Sequence, residues 1–101
     1  MNIKLLLGFA ACLLSTQVLA LGVVGNIAAG KVKANTVCAA CHGLDGNKTL
    51  DNTYPKLAGQ YPDYLLKSLK EYKSGKRSNA IMAGQAQALS DSDMANLASY
   101  Y

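Results

Sequence analysis

Three residues within five positions define the clearest chemistry in this chain. Cys38, Cys41 and His42 form a C-x-x-C-H motif, with Ala39 and Ala40 between the two thiols. This motif is the attachment signature of c-type haem. Two thiols at this spacing match the two vinyl groups on one porphyrin edge, and the imidazole that follows is placed to ligate the iron. The motif therefore predicts one covalently bound haem, with His42 as an axial ligand.

Three other interpretations of the motif compete with haem attachment. A zinc site normally needs further ligands at a distance, but no Cys or His follows His42. A thioredoxin-like redox pair expects a βαβ context, which the Ala- and Lys-rich surroundings do not provide. A structural disulfide across so short a loop would remove little chain entropy. These comparisons favour haem.

The first twenty residues have the three-part pattern of a secretory signal peptide. A positive head ends at Lys4, an apolar run extends from Leu5 to Leu14, and a more polar tail ends at Ala20. We expect cleavage after Ala20, which leaves residues 21–101 as one domain. Haem of this type is attached outside the cytoplasm, so the predicted location is the periplasm.

Two other fates of the N-terminus stay open. A retained membrane anchor is disfavoured because the apolar run is too short to span a bilayer. A lipoprotein processed at Cys12 is disfavoured because Phe9 stands where an aliphatic residue is usual. Neither outcome would remove the haem motif.

Composition predicts a small domain with only a mild positive charge. The whole chain has a formal net charge of +4, and loss of Lys4 with the signal leaves nine basic residues against six acidic ones, a net charge of +3. This balance, without basic and aromatic residues interleaved, does not indicate a nucleic-acid partner. A domain this short is marginally stable on its own, and a largely apolar macrocycle would complete its core.

The periodicity of the chain predicts an all-α fold. A first helix is expected from Ala28 to Val37, running into the haem motif. A second is expected to begin at Pro62 and end at Gly75. Ser90 and Asp93 have the spacing of a capping box that opens a last helix. No segment shows sustained strand alternation.

The second axial ligand has two candidates, because the chain contains only one His. Met94 shares an apolar helical face with Leu97 and Tyr101, which favours a role in the core. Met82 lies in residues 78–85, a stretch of small and polar residues without helical periodicity, which we expect to be a loop. A loop could bring the thioether to the iron, where this soft ligand raises the reduction potential. Met82 is therefore the favoured ligand, and filling a gap in the core is the alternative.

The chain resembles the small soluble class I cytochromes c of bacterial periplasms, a module also found doubled in dihaem cytochromes. The resemblance covers nearly all of residues 28–101 and is carried by the haem motif, Tyr54 to Gln60, Met82, and Leu89 to Tyr101. It implies that His42 and Met82 are the axial ligands. It also implies that the Pro55 carbonyl accepts a hydrogen bond from the His42 ring, which would orient the imidazole.

The same resemblance implies that the first and last helices cross at Gly30, with Leu97 and Tyr100 facing it. Glycine inside a helix lowers stability by about 1 kcal/mol relative to alanine. Its presence here therefore predicts close approach of the two helices.

The expected function is that of an electron carrier rather than an enzyme. An iron with both axial positions filled exchanges electrons without an open site for substrate, and the sequence contains no second catalytic constellation. Redox proteins, soluble or membrane-bound, are the expected partners. The alternatives are a sensor or peroxidase-like module with a labile sixth ligand, and a fixed haem subunit of a larger oxidoreductase.

A cluster of basic residues follows the start of the second predicted helix. We expect it to be either a solvated helix face, with a Lys67–Glu71 pair, or a surface that steers an acidic partner. Its members are Lys67, Lys70, Lys73, Lys76 and Arg77.

Overall fold

The computed structural model describes residues 22–101, and this part of the chain is helical without any β-strand. The predicted signal peptide, residues 1–20, lies outside the described residues. The elements are α1 (Ile27–Lys33), a π-helical segment (Ala34–Cys38), α2 (Ala39–His42), α3 (Pro62–Ser74), α4 (Ala80–Gln87) and α5 (Asp91–Tyr100). The all-α prediction is confirmed for these residues, and none of their helices is long and apolar enough to span a bilayer.

The N-terminal helical stretch is longer than the sequence predicts. It begins after Asn26, whose Oδ1 atom accepts a hydrogen bond from the Ala29 amide at 2.9 Å. It then continues without a break through the π-helical segment and α2, so the haem motif itself is helical. The alanines at 39 and 40 are the best helix formers, and they carry the helix to His42, beyond its expected end at Val37.

The boundaries of α3 and the start of α5 are set by residues close to them in sequence. Helix α3 starts at Pro62 and ends at Ser74, before Gly75 in the left-handed conformation. At the start of α5, the Ser90 hydroxyl accepts a hydrogen bond from the Asp93 amide at 3.0 Å. The Asp93 carboxylate in turn accepts one from the Ser90 amide at 3.0 Å. These contacts confirm the predicted capping box, because both partners satisfy amides that a helix N-terminus leaves free.

Helices α1 and α5 cross at Gly30, as the resemblance implies. A Cβ atom built on Gly30 would overlap the main-chain carbonyl of Asn96 and lie 3.0 Å from Cβ of Tyr100. Tyr100 therefore faces the glycine as expected, but the nearest atom belongs to the Asn96 main chain and not to Leu97. The nearest atom is a main-chain atom because the two helices approach closely enough for their backbones to be in contact at Gly30.

The core is centred on α5, with the π-helical segment and α3 packed against it. Its buried cluster consists of Ala34, Leu89, Met94 and Leu97. Met94 is 1% exposed, which confirms that it belongs to the core. Cys38 and Tyr101 are partly buried against this cluster, so the core directly supports the first residue of the haem motif.

The prediction of a loop over residues 78–85 is wrong, because most of this stretch lies in helix α4. Asn79 caps the helix, its side-chain oxygen accepting a hydrogen bond from the Met82 amide at 3.0 Å. The stretch is rich in alanine, a strong helix former, but its apolar residues do not repeat along one face. The periodicity that reveals α3 is therefore missing from α4, although the cap and the composition suffice to form the helix.

Candidate functional site

The two thiols of the haem motif lie on consecutive turns of one helical stretch. Cys38 ends the π-helical segment and Cys41 lies in α2. Both are free thiols and both are partly buried. Burial raises the pKa of the Cys38 thiol, while the nearby Tyr101 hydroxyl and the charge of Lys33 act in the opposite direction. Neither sulfur atom takes part in a disulfide.

His42 is held from one side by the main chain of a distant loop. Its side chain is 7% exposed, and its Nδ1 atom lies 2.8 Å from the carbonyl oxygen of Pro55. A carbonyl only accepts hydrogen bonds, so this contact requires the proton on Nδ1 and leaves the Nε2 lone pair for a metal. The Tyr54 ring lies nearby, with 6.4 Å between the ring centroids.

Gly43 makes the turn that folds the following loop back onto the motif. It has a φ of +89°, and a Cβ atom there would lie 2.5 Å from the Lys48 carbonyl oxygen. Both the conformation and the space favour glycine. After this turn, the Leu50 amide donates a hydrogen bond to the Cys41 carbonyl at 3.0 Å. The loop is thereby fastened to the helix that carries both thiols.

The residues of this region fit a haem group. Large apolar side chains next to the motif are turned outward: Val37, which precedes Cys38, is 37% exposed, and Leu50 is 75% exposed. Ile81, next to Met82, is 54% exposed. The two thiols and the imidazole, which has one free nitrogen, supply the attachment chemistry, and Val37 and Leu50 are exposed apolar side chains on segments that adjoin the motif.

The structure brings some of the predicted site residues together and places one on a separate element. Cys38, Cys41 and His42 share one helical stretch, and Pro55 is joined to them through the His42 hydrogen bond. Met82 lies in the first turn of α4, where it is partly buried. Helix α4 packs against α3.

One neighbour of the motif was missed by sequence reasoning. Tyr101 was predicted to share an apolar face with Met94 and Leu97, and the structure also packs it against the same core cluster as Cys38. Burial raises the pKa of Tyr101, and its interaction with Cys38 raises it further. The spacing of apolar residues indicates which side of α5 is buried, but it does not indicate which residues of other elements that side contacts.

The basic cluster is only partly free for a binding partner. Lys73 donates a hydrogen bond to the Leu89 carbonyl. The Arg77 guanidinium donates to the Ser68 hydroxyl at 3.2 Å and lies 4.9 Å from the centre of the Tyr72 ring. The expected ion pair between Lys67 and Glu71 is present at 3.7 Å. Lys70 and Lys76 are exposed.

Comparison with known proteins gives a consistent family. The family model described as Cytochrome c matches residues 27–100. Cytochrome c4 of Pseudomonas aeruginosa is 51% identical over 77 residues, covering 76% of this chain and 37% of that protein. Cytochrome c-554(548) of Halomonas halodenitrificans is 48% identical over 80 residues, covering 76% of this chain and 94% of that protein.

The fold agrees with the sequence similarity. The crystal structure of reduced recombinant cytochrome c4 from Pseudomonas stutzeri matches with a TM-score of 0.70 and 40% identity, covering 77% of this chain and 45% of that chain. The chain therefore spans less than half the length of these two cytochrome c4 relatives. The attachment motif, the helical fold and these similarities agree. The chain therefore belongs to the cytochrome c family, and its cofactor is covalently attached haem c.

Proposed function

We propose that this chain is a periplasmic one-electron carrier whose haem is bound covalently by Cys38 and Cys41 and ligated by His42 and Met82. One observation carries the proposal: two free thiols and a buried imidazole lie on one short helical stretch, and the imidazole is fixed by the Pro55 carbonyl at 2.8 Å. When bound, the haem supplies the iron centre that gains and loses the electron.

The protein's contribution at the His42 side is to hold one tautomer and one ring orientation. The Pro55 carbonyl accepts the Nδ1 proton, which leaves Nε2 as the ligating atom and makes it more basic. Proline restricts its own backbone and has no amide hydrogen to satisfy. The oxygen that receives the His42 hydrogen bond therefore lies on a stiff part of the loop.

Met82 is the better candidate for the other axial position. Met94 is 1% exposed and packed among Ala34, Leu89 and Leu97, so its sulfur is committed to the core. Met82 is partly buried at the start of α4, where the Asn79 cap holds its main chain. A thioether at this position would favour the reduced state of the iron and raise its reduction potential.

With both axial positions filled, the protein would transfer electrons without binding a substrate at the metal, which distinguishes a carrier from an enzyme or a gas sensor. A spectroelectrochemical titration of the holoprotein tests this. We expect a methionine–iron charge-transfer band in the oxidised form, a single one-electron transition, and no binding of carbon monoxide at neutral pH. Carbon monoxide binding to the native reduced protein would instead indicate a labile sixth ligand.

Attachment and export are tested separately from ligation. Mass spectrometry of the mature protein should show one haem and an N-terminus at Leu21, whereas a lipid-modified Cys12 would contradict the proposed soluble periplasmic carrier. In the double variant Cys38→Ser with Cys41→Ser, no haem should survive acid–acetone extraction. Native purification distinguishes a diffusing carrier, which exchanges electrons with several redox proteins, from a fixed subunit that always copurifies with one oxidoreductase.

A further inference from the structure

The loop that carries the Pro55 carbonyl touches the helical stretch of the haem motif at two points. At the first, the Leu50 amide donates a hydrogen bond to the Cys41 carbonyl at 3.0 Å. At the second, the Pro55 carbonyl oxygen lies 2.8 Å from Nδ1 of His42. Only the four residues 51–54 separate these two points along the chain. The shape of this short span therefore determines where the Pro55 oxygen lies relative to the imidazole.

Asp51 closes the span into a tight turn with three hydrogen bonds. Its Oδ1 atom accepts one from the Thr53 amide at 2.8 Å and one from the Thr53 hydroxyl at 2.7 Å. Its main-chain carbonyl accepts the third from the Tyr54 amide at 3.0 Å. An aspartate side chain that bonds to the backbone two residues ahead stabilises a turn. Because Pro55 directly follows Tyr54, this turn sets the direction in which the chain enters Pro55.

The chain is also fixed on the other side of Pro55. The Leu57 and Ala58 amides both donate hydrogen bonds to the Gly46 carbonyl, at 2.8 and 3.1 Å. The Asp51 side chain is exposed, and its hydrogen bonds within the described residues all belong to the turn before Pro55. The Thr53 amide, and after it the Thr53 hydroxyl, lower the pKa of Asp51 below its ordinary value of 3.8. At neutral pH the turn is therefore held by a carboxylate.

We propose that Asp51 is a positioning residue for the axial imidazole: its turn holds the Pro55 carbonyl at hydrogen-bond distance from Nδ1 of His42 and thereby tunes the reduction potential. This inference rests on the proposed ligation of the iron by His42. A hydrogen bond from Nδ1 makes the opposite ring nitrogen more basic, and a more basic ligand favours the oxidised iron. Loosening the turn weakens this hydrogen bond, so it should favour the reduced form and raise the potential.

The test compares Asp51→Ala with Asp51→Asn in the haem-loaded protein. Both variants remove the negative charge, but only asparagine keeps an oxygen that can accept the hydrogen bonds from Thr53. The comparison therefore separates the effect of the turn from the effect of the charge. Relative to Asp51→Asn, we expect Asp51→Ala to raise the equilibrium constant for reduction about threefold, or about 28 mV at 59 mV per tenfold.

Exchange of the His42 ring proton with solvent provides a second readout, measured by nuclear magnetic resonance of the reduced holoprotein. The Nδ1 proton should exchange about tenfold faster in Asp51→Ala than in Asp51→Asn, because losing one hydrogen bond of the turn lets the Pro55 contact open more often. Asp45→Ala is the control. The Asp45 carboxylate accepts a similar hydrogen bond from the Asn47 amide at 2.9 Å, but it lies outside the span 51–54. This variant should leave the exchange rate unchanged.

If the two Asp51 variants agree in either the potential or the exchange rate, the inference is wrong. Should Asp51→Ala fail to fold, Thr53→Val provides the same test, because it removes the hydroxyl contact and keeps the charge of Asp51. It should shift both readouts in the same direction by a smaller factor, and wild-type values would contradict the inference. Carbon monoxide binding to the native reduced protein would instead contradict the proposed carrier. That outcome is distinguishable, because it concerns the ligand on the side of the haem opposite His42.

Discussion

The Nδ1 atom of His42 lies 2.8 Å from the main-chain oxygen of Pro55. Because the acceptor is part of the backbone, it is present whatever side chain occupies position 55. What proline adds is stiffness, since its ring fixes φ. The orientation of the imidazole is therefore set by the path of the loop, which the Leu50–Cys41 hydrogen bond and the turn at Gly43 also constrain.

The first prediction distinguishes the two methionines. Met82→Ala should keep covalently bound haem, because both cysteines are unchanged, but it should lower the reduction potential and allow the reduced protein to bind carbon monoxide. Met94→Ala should keep the spectrum and lower the free energy of unfolding by about 2–5 kcal/mol, because it leaves a cavity in the core. Optical titration and denaturant unfolding of both variants provide the measurements. The reverse pattern would assign the ligand to Met94.

The second prediction concerns the helix crossing. Gly30→Ala should destabilise the protein by about 1–3 kcal/mol, because the added methyl group would overlap the Asn96 carbonyl. Gly84→Ala is the control: this glycine is also in a helix, but a Cβ atom there would have no neighbour within 4 Å. It should stabilise the protein by up to about 1 kcal/mol through helix propensity. Equal effects in thermal unfolding would exclude a close crossing at Gly30.

The third prediction concerns pH. The hydrogen bond from the Ser90 amide lowers the pKa of Asp93 below its ordinary value of 3.8, and the Ser90 hydroxyl and Lys33 lower it further. The folded state therefore binds this proton less readily than the unfolded state. The stabilisation is present above about pH 4, the ordinary range of a carboxyl group, and is lost as the pH falls through the folded pKa.

Unfolding of the wild type and of Asp93→Asn, measured from pH 7 down to pH 3, tests this. The wild type should be more stable at pH 7, and the difference between the two proteins should shrink towards acid pH. Asp91→Asn is the control, because it removes a carboxylate from the same first turn without breaking the capping box. A difference for Asp93→Asn that does not vary with pH would show that the carboxylate is not the stabilising form.

The fourth prediction concerns the two basic residues at the exposed side of α3. Lys67→Gln together with Lys70→Gln should slow oxidation of the reduced protein by ferricyanide, a small anion, by about two- to tenfold at low ionic strength. The effect should fade with added salt, because screening shortens the reach of the charges. Stopped-flow spectroscopy measures the rates.

The control for this prediction is Lys31→Gln together with Lys48→Gln, which removes the same charge from a surface on other elements, beside Ala39 and Gly43. Equal slowing by the two double variants would attribute the effect to net charge and not to the α3 surface. Lys73 is left unchanged because its hydrogen bond to the Leu89 carbonyl gives it a structural role.

Sequence reasoning was most reliable where the signal is local. Pro62 and Gly75 bound α3, and Ser90 with Asp93 opens α5, because these residues act on amides and carbonyls within a few positions of themselves. The cofactor could be predicted for the same reason, since the thiols and the imidazole lie within five positions.

Other features depend on contacts that no local pattern encodes. Helix α4 was missed because its small residues do not form an apolar face, although Asn79 belongs to a residue type that commonly caps helices. Tyr101 and Cys38 pack against the same core cluster although they are far apart in the chain, so their proximity follows from tertiary packing. The signal peptide and the axial role of Met82 stay predictions.

The π-helical segment Ala34–Cys38 determines the direction in which the side chains of the haem motif point relative to those of α1. One residue of an α-helix corresponds to about 100° of rotation, and a π turn accommodates an additional residue without breaking the helix. The face of α1 that meets α5 and the face that presents Cys38 are therefore adjusted separately. Deleting one residue from this segment would leave every side chain of the motif intact but rotate both thiols away from their present direction. The length of the segment therefore matters as much as its composition.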